Sequence, residues 1–110
     1  MDQTVSVPRA EGSTILLVED FDDTRLMMKM WLEKRGYRVI EAETGEKAIT
    51  LAQREAPDLI IMDVMMPGMN GLDATQRIRQ YQALRRTPIV AVSAWMSCAI
   101  NIRMRCTSLA

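Results

Sequence analysis

Three short runs of consecutive apolar residues punctuate the chain: Ile15-Leu16-Leu17-Val18, Leu59-Ile60-Ile61-Met62 and Ile89-Val90-Ala91-Val92. Runs this short and unbroken suit strands buried on both faces. The first opens at Thr14 and ends in Glu19-Asp20, the second ends in Asp63, and the third follows Thr87-Pro88 and ends in Ser93. A fourth segment, Arg38-Val39-Ile40-Glu41, is more polar, as an edge strand would be. The stretches between them read as helices. One is predicted from about Asp23 to Arg35, capped by Asp22 or Asp23 and closed by Gly36, with Leu26, Met27, Met30 and Trp31 at helical spacing. A second is predicted over Thr44 to Glu55, with Ala48, Leu51 and Ala52 on its inner face and Pro57 beyond its end. A third is predicted over Leu72 to Leu84, with Leu72 and Ile78 facing inward and Thr75 a further inward candidate. Strands alternating with helices imply an α/β, doubly wound parallel sheet with right-handed crossovers. Residues 1–13 read as a polar leader, 14–95 as one domain core, and 96–110 as an atypical tail.

Composition narrows the chemistry. The chain has 110 residues, 48% hydrophobic and 25% charged, the balance of one small globular domain. Fourteen basic residues match fourteen acidic ones, so no basic nucleic-acid surface is expected. No apolar run approaches the roughly 20 residues of a membrane helix, and residues 1–13 lack a signal-peptide core. A soluble, cytoplasmic protein without membrane contact is the expectation. There is no histidine, which removes the commonest general base and the usual nucleophilic triads. Cys98 and Cys106 are too few for a structural zinc site and are expected to be free thiols. Ten methionines are expected mainly as flexible core filler. Any reaction must then run on carboxylates, hydroxyls, amines or a metal.

Glu19, Asp20, Asp63 and Ser93 all fall at the carboxyl ends of predicted strands. That edge of an open parallel sheet is where ligands bind. A single Asp at a strand end is usually a turn former or a helix cap. Four such positions on one edge point to a site. Three carboxylates gathered there repel one another, and a hard divalent cation, best Mg²⁺, would relieve the repulsion. Thr44-Gly45-Glu46-Lys47 lacks the glycine spacing of a nucleotide-binding loop.

Three motifs in register resemble the receiver domains of two-component response regulators. Leu16-Leu17-Val18-Glu19-Asp20 is similar to their acidic-pair strand. The run Asp63-Val64-Met65-Met66-Pro67-Gly68-Met69-Asn70-Gly71-Leu72-Asp73 is similar to their phosphoacceptor loop, and Ile89-Val90-Ala91-Val92-Ser93-Ala94 to their switch-hydroxyl strand. The resemblance covers about Thr14 to Trp95. It implies a flavodoxin-like receiver fold with strand order 2-1-3-4, the fifth strand and last helix being absent. It also implies that Asp63 accepts a phosphoryl group from a sensor histidine kinase or a histidine phosphotransfer protein. Asp20, Asp63 and the backbone carbonyl of Met65 would ligate Mg²⁺, Glu19 would reach it through water, and Ser93 would contact the phosphoryl group and switch. Such a module is a signalling domain, not an enzyme in the ordinary sense, with slow self-catalysed loss of the phosphoryl group.

The departures from the family lie at the end of the chain. The family's lysine on a fifth strand would fall beyond Ala110, and from about Met96 the residues no longer look like the family. Apolar and polar residues alternate through Ile100 to Cys106 where the family would begin a helix. These departures carry two further expectations: an exposed sheet edge that promotes self-association, and an alternative reading as a receiver that only binds partners, without a working switch. A phosphatase or phosphotransferase with an aspartyl intermediate is opposed by Met65, which stands where those enzymes carry a second Asp.

Overall fold

The computed structural model describes residues 12–66 and 68–92. Expectations for the leader up to residue 11, for Pro67, for Ser93 and for the segment from 94 to 110, including Cys98, Cys106 and any fifth strand, lie outside the described residues. The elements run β1 (Thr14–Val18), α1 (Asp22–Lys34), β2 (Arg38–Ala42), α2 (Gly45–Glu55), β3 (Leu59–Asp63), α3 (Gly71–Arg79), a 3-10 turn (Gln82–Leu84) and β4 (Ile89–Val92). All strand pairs are parallel, as the alternating pattern predicts, and the sheet order is β2-β1-β3-β4, as the family resemblance implies. Among the described residues, β2 and β4 are the edges.

Strand alternation divides the core into two layers. Leu16 and Val18 of β1, with Ile60 and Met62 of β3, pack against Ala48 and Ala52 of α2 and Ala74 and Ile78 of α3. Ile15, Leu17, Leu59 and Ile61 point the other way, against Met28 and Leu32 of α1. This two-sided burial is why β1 and β3 read as unbroken apolar runs. β2 is half-exposed, with Arg38 and Glu41 turned outward, as its polar sequence predicts. At the amino ends of β1 and β3 a reciprocal pair joins the strands: Thr14 N–H donates to Asp58 Oδ2 at 2.8 Å, and Asp58 N–H donates to the Thr14 carbonyl at 2.8 Å.

Several local expectations are corrected. α1 is capped by Phe21, whose side chain makes no cap bond. Asp22 and Asp23 sit inside its first turn. Leu26, Met27, Met30 and Trp31 face outward, 39–55% exposed, and the buried pair is Met28 and Leu32. α1 carries apolar residues on most of its circumference, and its position over β1 and β3 selects the side that is buried. The methionines divide accordingly: Met28, Met62 and Met66 are buried, whereas Met27, Met30 and Met65 are exposed. In α2, Thr44 is the cap, its Oγ1 accepting from Lys47 N–H at 3.1 Å. The helix ends at Ala56 in the left-handed region (φ 43°), one residue before Pro57.

α3 stops at Arg79, five residues short of the predicted Leu84. Its Nη1 donates to the carbonyls of Leu84 (2.8 Å), Arg85 (3.0 Å) and Thr87 (2.7 Å). That clamp fixes the 3-10 turn and the approach to β4. Thr75 and Ile78 are buried as predicted, but Leu72 is 50% exposed.

Candidate functional site

The carboxyl ends of β1 and β3 are adjacent, with Val18 registered to Met62. The residues that follow or close these strands therefore share one edge. Glu19 directly follows β1 and is buried, Asp63 closes β3 and is wholly buried, and Asp20 is half-buried. One carboxylate oxygen from each lies within 4.8 Å of the others. The structure thus brings together the three acidic residues singled out in the sequence. β4 ends at Val92, registered with Asp63, and the ladder continues through Val64 N–H to the Val92 carbonyl at 3.0 Å.

The backbone around these carboxylates is held closely. Glu19 N–H donates to the Ala42 carbonyl at 3.0 Å, which ties the acidic turn to the end of β2. Glu19 Oε2 accepts from Phe21 N–H at 3.2 Å, and Asp63 Oδ1 accepts from Met65 N–H at 3.0 Å. Met65 itself is 60% exposed at the rim. Behind Asp63, α3 begins with Gly71, capped by Asn70 Oδ1, which accepts from Asp73 N–H at 2.9 Å.

Arg25 was not singled out in the sequence. Its Nη1 donates to the Glu19 carbonyl at 2.9 Å, its Nη2 to Asp22 Oδ1 at 2.7 Å and its Nε to Glu41 Oε1 at 3.1 Å. The available signal was the Asp22–Arg25 spacing of three residues on one helix face.

Electrostatically the site is strained. Glu19 Oε1 and Asp63 Oδ2 are buried and have no hydrogen-bond partner among the described residues. Leaving such groups unpaired costs about 1–3 kcal/mol each, more if charged. Burial first, and then the neighbouring Asp63, push the Glu19 carboxyl up to about 8. Burial likewise raises Asp63 above the ordinary carboxylate range, and the charge of Asp20 adds to the rise. A small, hard, oxygen-seeking cation fits this donor set, because it would engage the orphaned lone pairs and offset the mutual repulsion.

Comparison with known proteins agrees with this arrangement. Residues 15–107 match the response regulator receiver domain family. The chain is 41% identical over 83 residues to the autoinducer 1 sensor kinase/phosphatase LuxN of Vibrio campbellii, covering 76% of this chain and 10% of that protein. It is 35% identical over 79 residues to protein PilH of Pseudomonas aeruginosa, covering 72% of this chain and 65% of that one. The chain therefore spans less than two thirds of the length of these relatives. Among solved structures, it is similar to the receiver domain of a Pseudomonas aeruginosa sensor histidine kinase with a magnesium ion coordinated in its active site cleft. That match has a TM-score of 0.73 and 38% identity, and covers 77% of this chain and 70% of the other. Sheet order, acidic edge and sequence kinship converge, and the chain belongs to the response regulator receiver domain family of two-component signalling.

Proposed function

We propose that this chain is a phosphoacceptor whose Asp63 takes a phosphoryl group from a phosphohistidine donor in a Mg²⁺-dependent reaction. The observation that carries the reading is the Glu19–Asp20–Asp63 cluster with two buried carboxylate oxygens that have no partner among the described residues. Asp20, Asp63 and the Met65 carbonyl would hold the ion, with Glu19 acting through water. Bound Mg²⁺ would offset the charge of the carboxylates and of the incoming phosphoryl group.

The rest of the chemistry belongs to the chain. Met65 N–H fixes Asp63 Oδ1, which sets the orientation of the carboxylate. Asp63 Oδ2 has no hydrogen-bond partner among the described residues, which leaves its lone pairs open to a cation or to phosphorus. As an Asp63 oxygen bonds to phosphorus, the P–N bond to the donor imidazole breaks and its electron pair remains on the nitrogen. Ser93, which follows Val92 in the sequence, is assigned the contact to the phosphoryl oxygens.

The donor proposed is a sensor histidine kinase or a histidine phosphotransfer protein. The exposed Phe21, which follows Asp20, and the outward Leu26, Met27, Met30 and Trp31 of α1 offer apolar side chains on which a protein donor could dock. The reading places the chain in the cytoplasm with its donor, and no helix among the described residues is long and apolar enough to cross a membrane.

Incubation with a small acyl phosphate and Mg²⁺, followed by mass spectrometry, tests the reading. Aspartyl phosphate should appear on Asp63, and should be lost in Asp63→Asn and in chelator. Modification at another residue, or none, would rule it out.

A further inference from the structure

A turn that crowds carboxylates together needs a restraint to keep its shape. Once ionised to receive a cation, Glu19, Asp20 and Asp63 repel one another and drive the turn after β1 away from β3, and the Phe21 cap of α1 gives that turn no side-chain bond. Arg25 is the side chain placed to resist this. Its side chain is only 12% exposed. Each of its nitrogens has a different partner: the Glu19 carbonyl, Asp22 and Glu41. Both backbone polar groups of Glu19 are thus held, its N–H by the Ala42 carbonyl of β2 and its C=O by Arg25. Glu41 also belongs to β2, so both restraints refer the acidic turn to the same rigid strand. Arg25 takes hold of the turn through the backbone of Glu19 and through Asp22, which is not one of the three clustered carboxylates.

We propose that Arg25 is a positioning residue for the metal site. By pinning the Glu19 peptide and Asp22 to β2, it holds the acidic turn in the geometry that receives Mg²⁺. The inference rests on the metal-site reading above. Groups that orient metal ligands without touching the ion typically change affinity about 10–100-fold when removed. A lysine keeps the charge but cannot reproduce a planar fork with three directed donors, so charge alone should not rescue the role. The sign of the effect is diagnostic as well. A cation that mattered only through its charge would oppose Mg²⁺, and its loss would tighten binding; a positioning residue's loss weakens it.

The test is calorimetric titration of Mg²⁺ into the full chain. Arg25→Met and Arg25→Lys should each weaken binding about tenfold or more, and Glu41→Ala should weaken it less, in the same direction. Arg79→Lys is the control: Arg79 also clamps three carbonyls, but around the 3-10 turn, and its loss should leave Mg²⁺ affinity within about twofold of the parent while lowering stability. Parent-like or tighter binding by a folded Arg25 variant overturns the proposal, as does equal weakening in Arg79→Lys. If the Arg25 variants do not fold, parent-like binding by Glu41→Ala overturns it. A parent chain that takes up no Mg²⁺ overturns the metal-site reading itself and this inference with it.

Discussion

Gly71 lies directly against the back of Asp63: a Cβ at position 71 would stand 2.4 Å from the Asp63 carbonyl oxygen and 2.8 Å from the Val64 Cα. Both obstacles are backbone and cannot turn aside. Gly71→Ala must therefore separate α3 from the end of β3 and disturb the proposed phosphoacceptor. We expect a loss of about 1–3 kcal/mol, the usual cost of overpacking, together with weaker Mg²⁺ uptake. Chemical denaturation and a metal titration on the same variant check both. Unchanged stability would mean that the helix start can yield without cost.

The acidic cluster should make stability depend on pH. Glu19 is raised from an ordinary 4.5 to about 8 in the folded chain. Between those values the folded chain holds more protons than the unfolded one, so stability falls as pH rises. The contribution is complete below about 4.5 and lost through about 8, and the raised Asp63 acts in the same direction. Unfolding in chelator should thus become easier from pH 5 to pH 8 (about the interval between the two values), with a flatter profile in Glu19→Gln. Because a cation requires ionised ligands, Mg²⁺ binding near neutrality should release protons. Calorimetry in two buffers of different ionisation enthalpy reads that release, and identical heats in both would contradict it.

The two sides of α1 should respond oppositely to mutation. Leu32 is 3% exposed and Leu26 is 54% exposed. Leu32→Ala should cost about 2–5 kcal/mol, whereas Leu26→Ser should stay within about 0.5 kcal/mol. If the exposed side is the donor surface, Leu26→Ser should slow transfer from a protein donor and leave transfer from a small acyl phosphate unchanged. Denaturant midpoints and the two transfer rates separate stability from docking.

Met65 is 60% exposed at the rim of the site, and its side chain offers an incoming water no strong hydrogen-bond partner. A phosphoryl group on Asp63 should therefore be lost slowly. Met65→Asn supplies a polar group that can orient the water, and should speed loss by about 10-fold, equivalent to ~1.4 kcal/mol of barrier. The half-life of the phosphorylated chain, followed by mass spectrometry, decides the matter.

What the sequence made legible follows from where each signal resides. β1 and β3 were readable because strands buried on both faces must be apolar throughout. Once the parallel α/β pattern was seen, the edge at which Glu19, Asp20 and Asp63 meet followed from topology. The buried side of α1 was not readable, because Leu26, Met27, Met28, Met30, Trp31 and Leu32 surround the helix and only its seat on the sheet selects Met28 and Leu32. The end of α3 was hidden for a similar reason. Gln80-Tyr81-Gln82-Ala83-Leu84 contains no glycine or proline, and the forward reach of Arg79 accompanies the change of path. Arg25 escaped notice because two of its three partners, the Glu19 carbonyl and Glu41, become neighbours only after folding.

The Thr14–Asp58 pair gives the central strands a built-in direction of opening. At their amino ends β1 and β3 are closed by two reciprocal hydrogen bonds of 2.8 Å; at their carboxyl ends the same strands carry crowded carboxylates that repel one another as they ionise. A structure bolted at one end and pushed apart at the other frays from the loaded end. Amide hydrogen exchange in the ion-free chain should therefore show a gradient, slowest near Ile15 and Leu59 and fastest toward Glu19 and Val64. Mg²⁺ should slow exchange most at the fast end. In this fold the acidic edge should then be the first part to breathe, and the ion proposed to equip it for chemistry should also be what closes it.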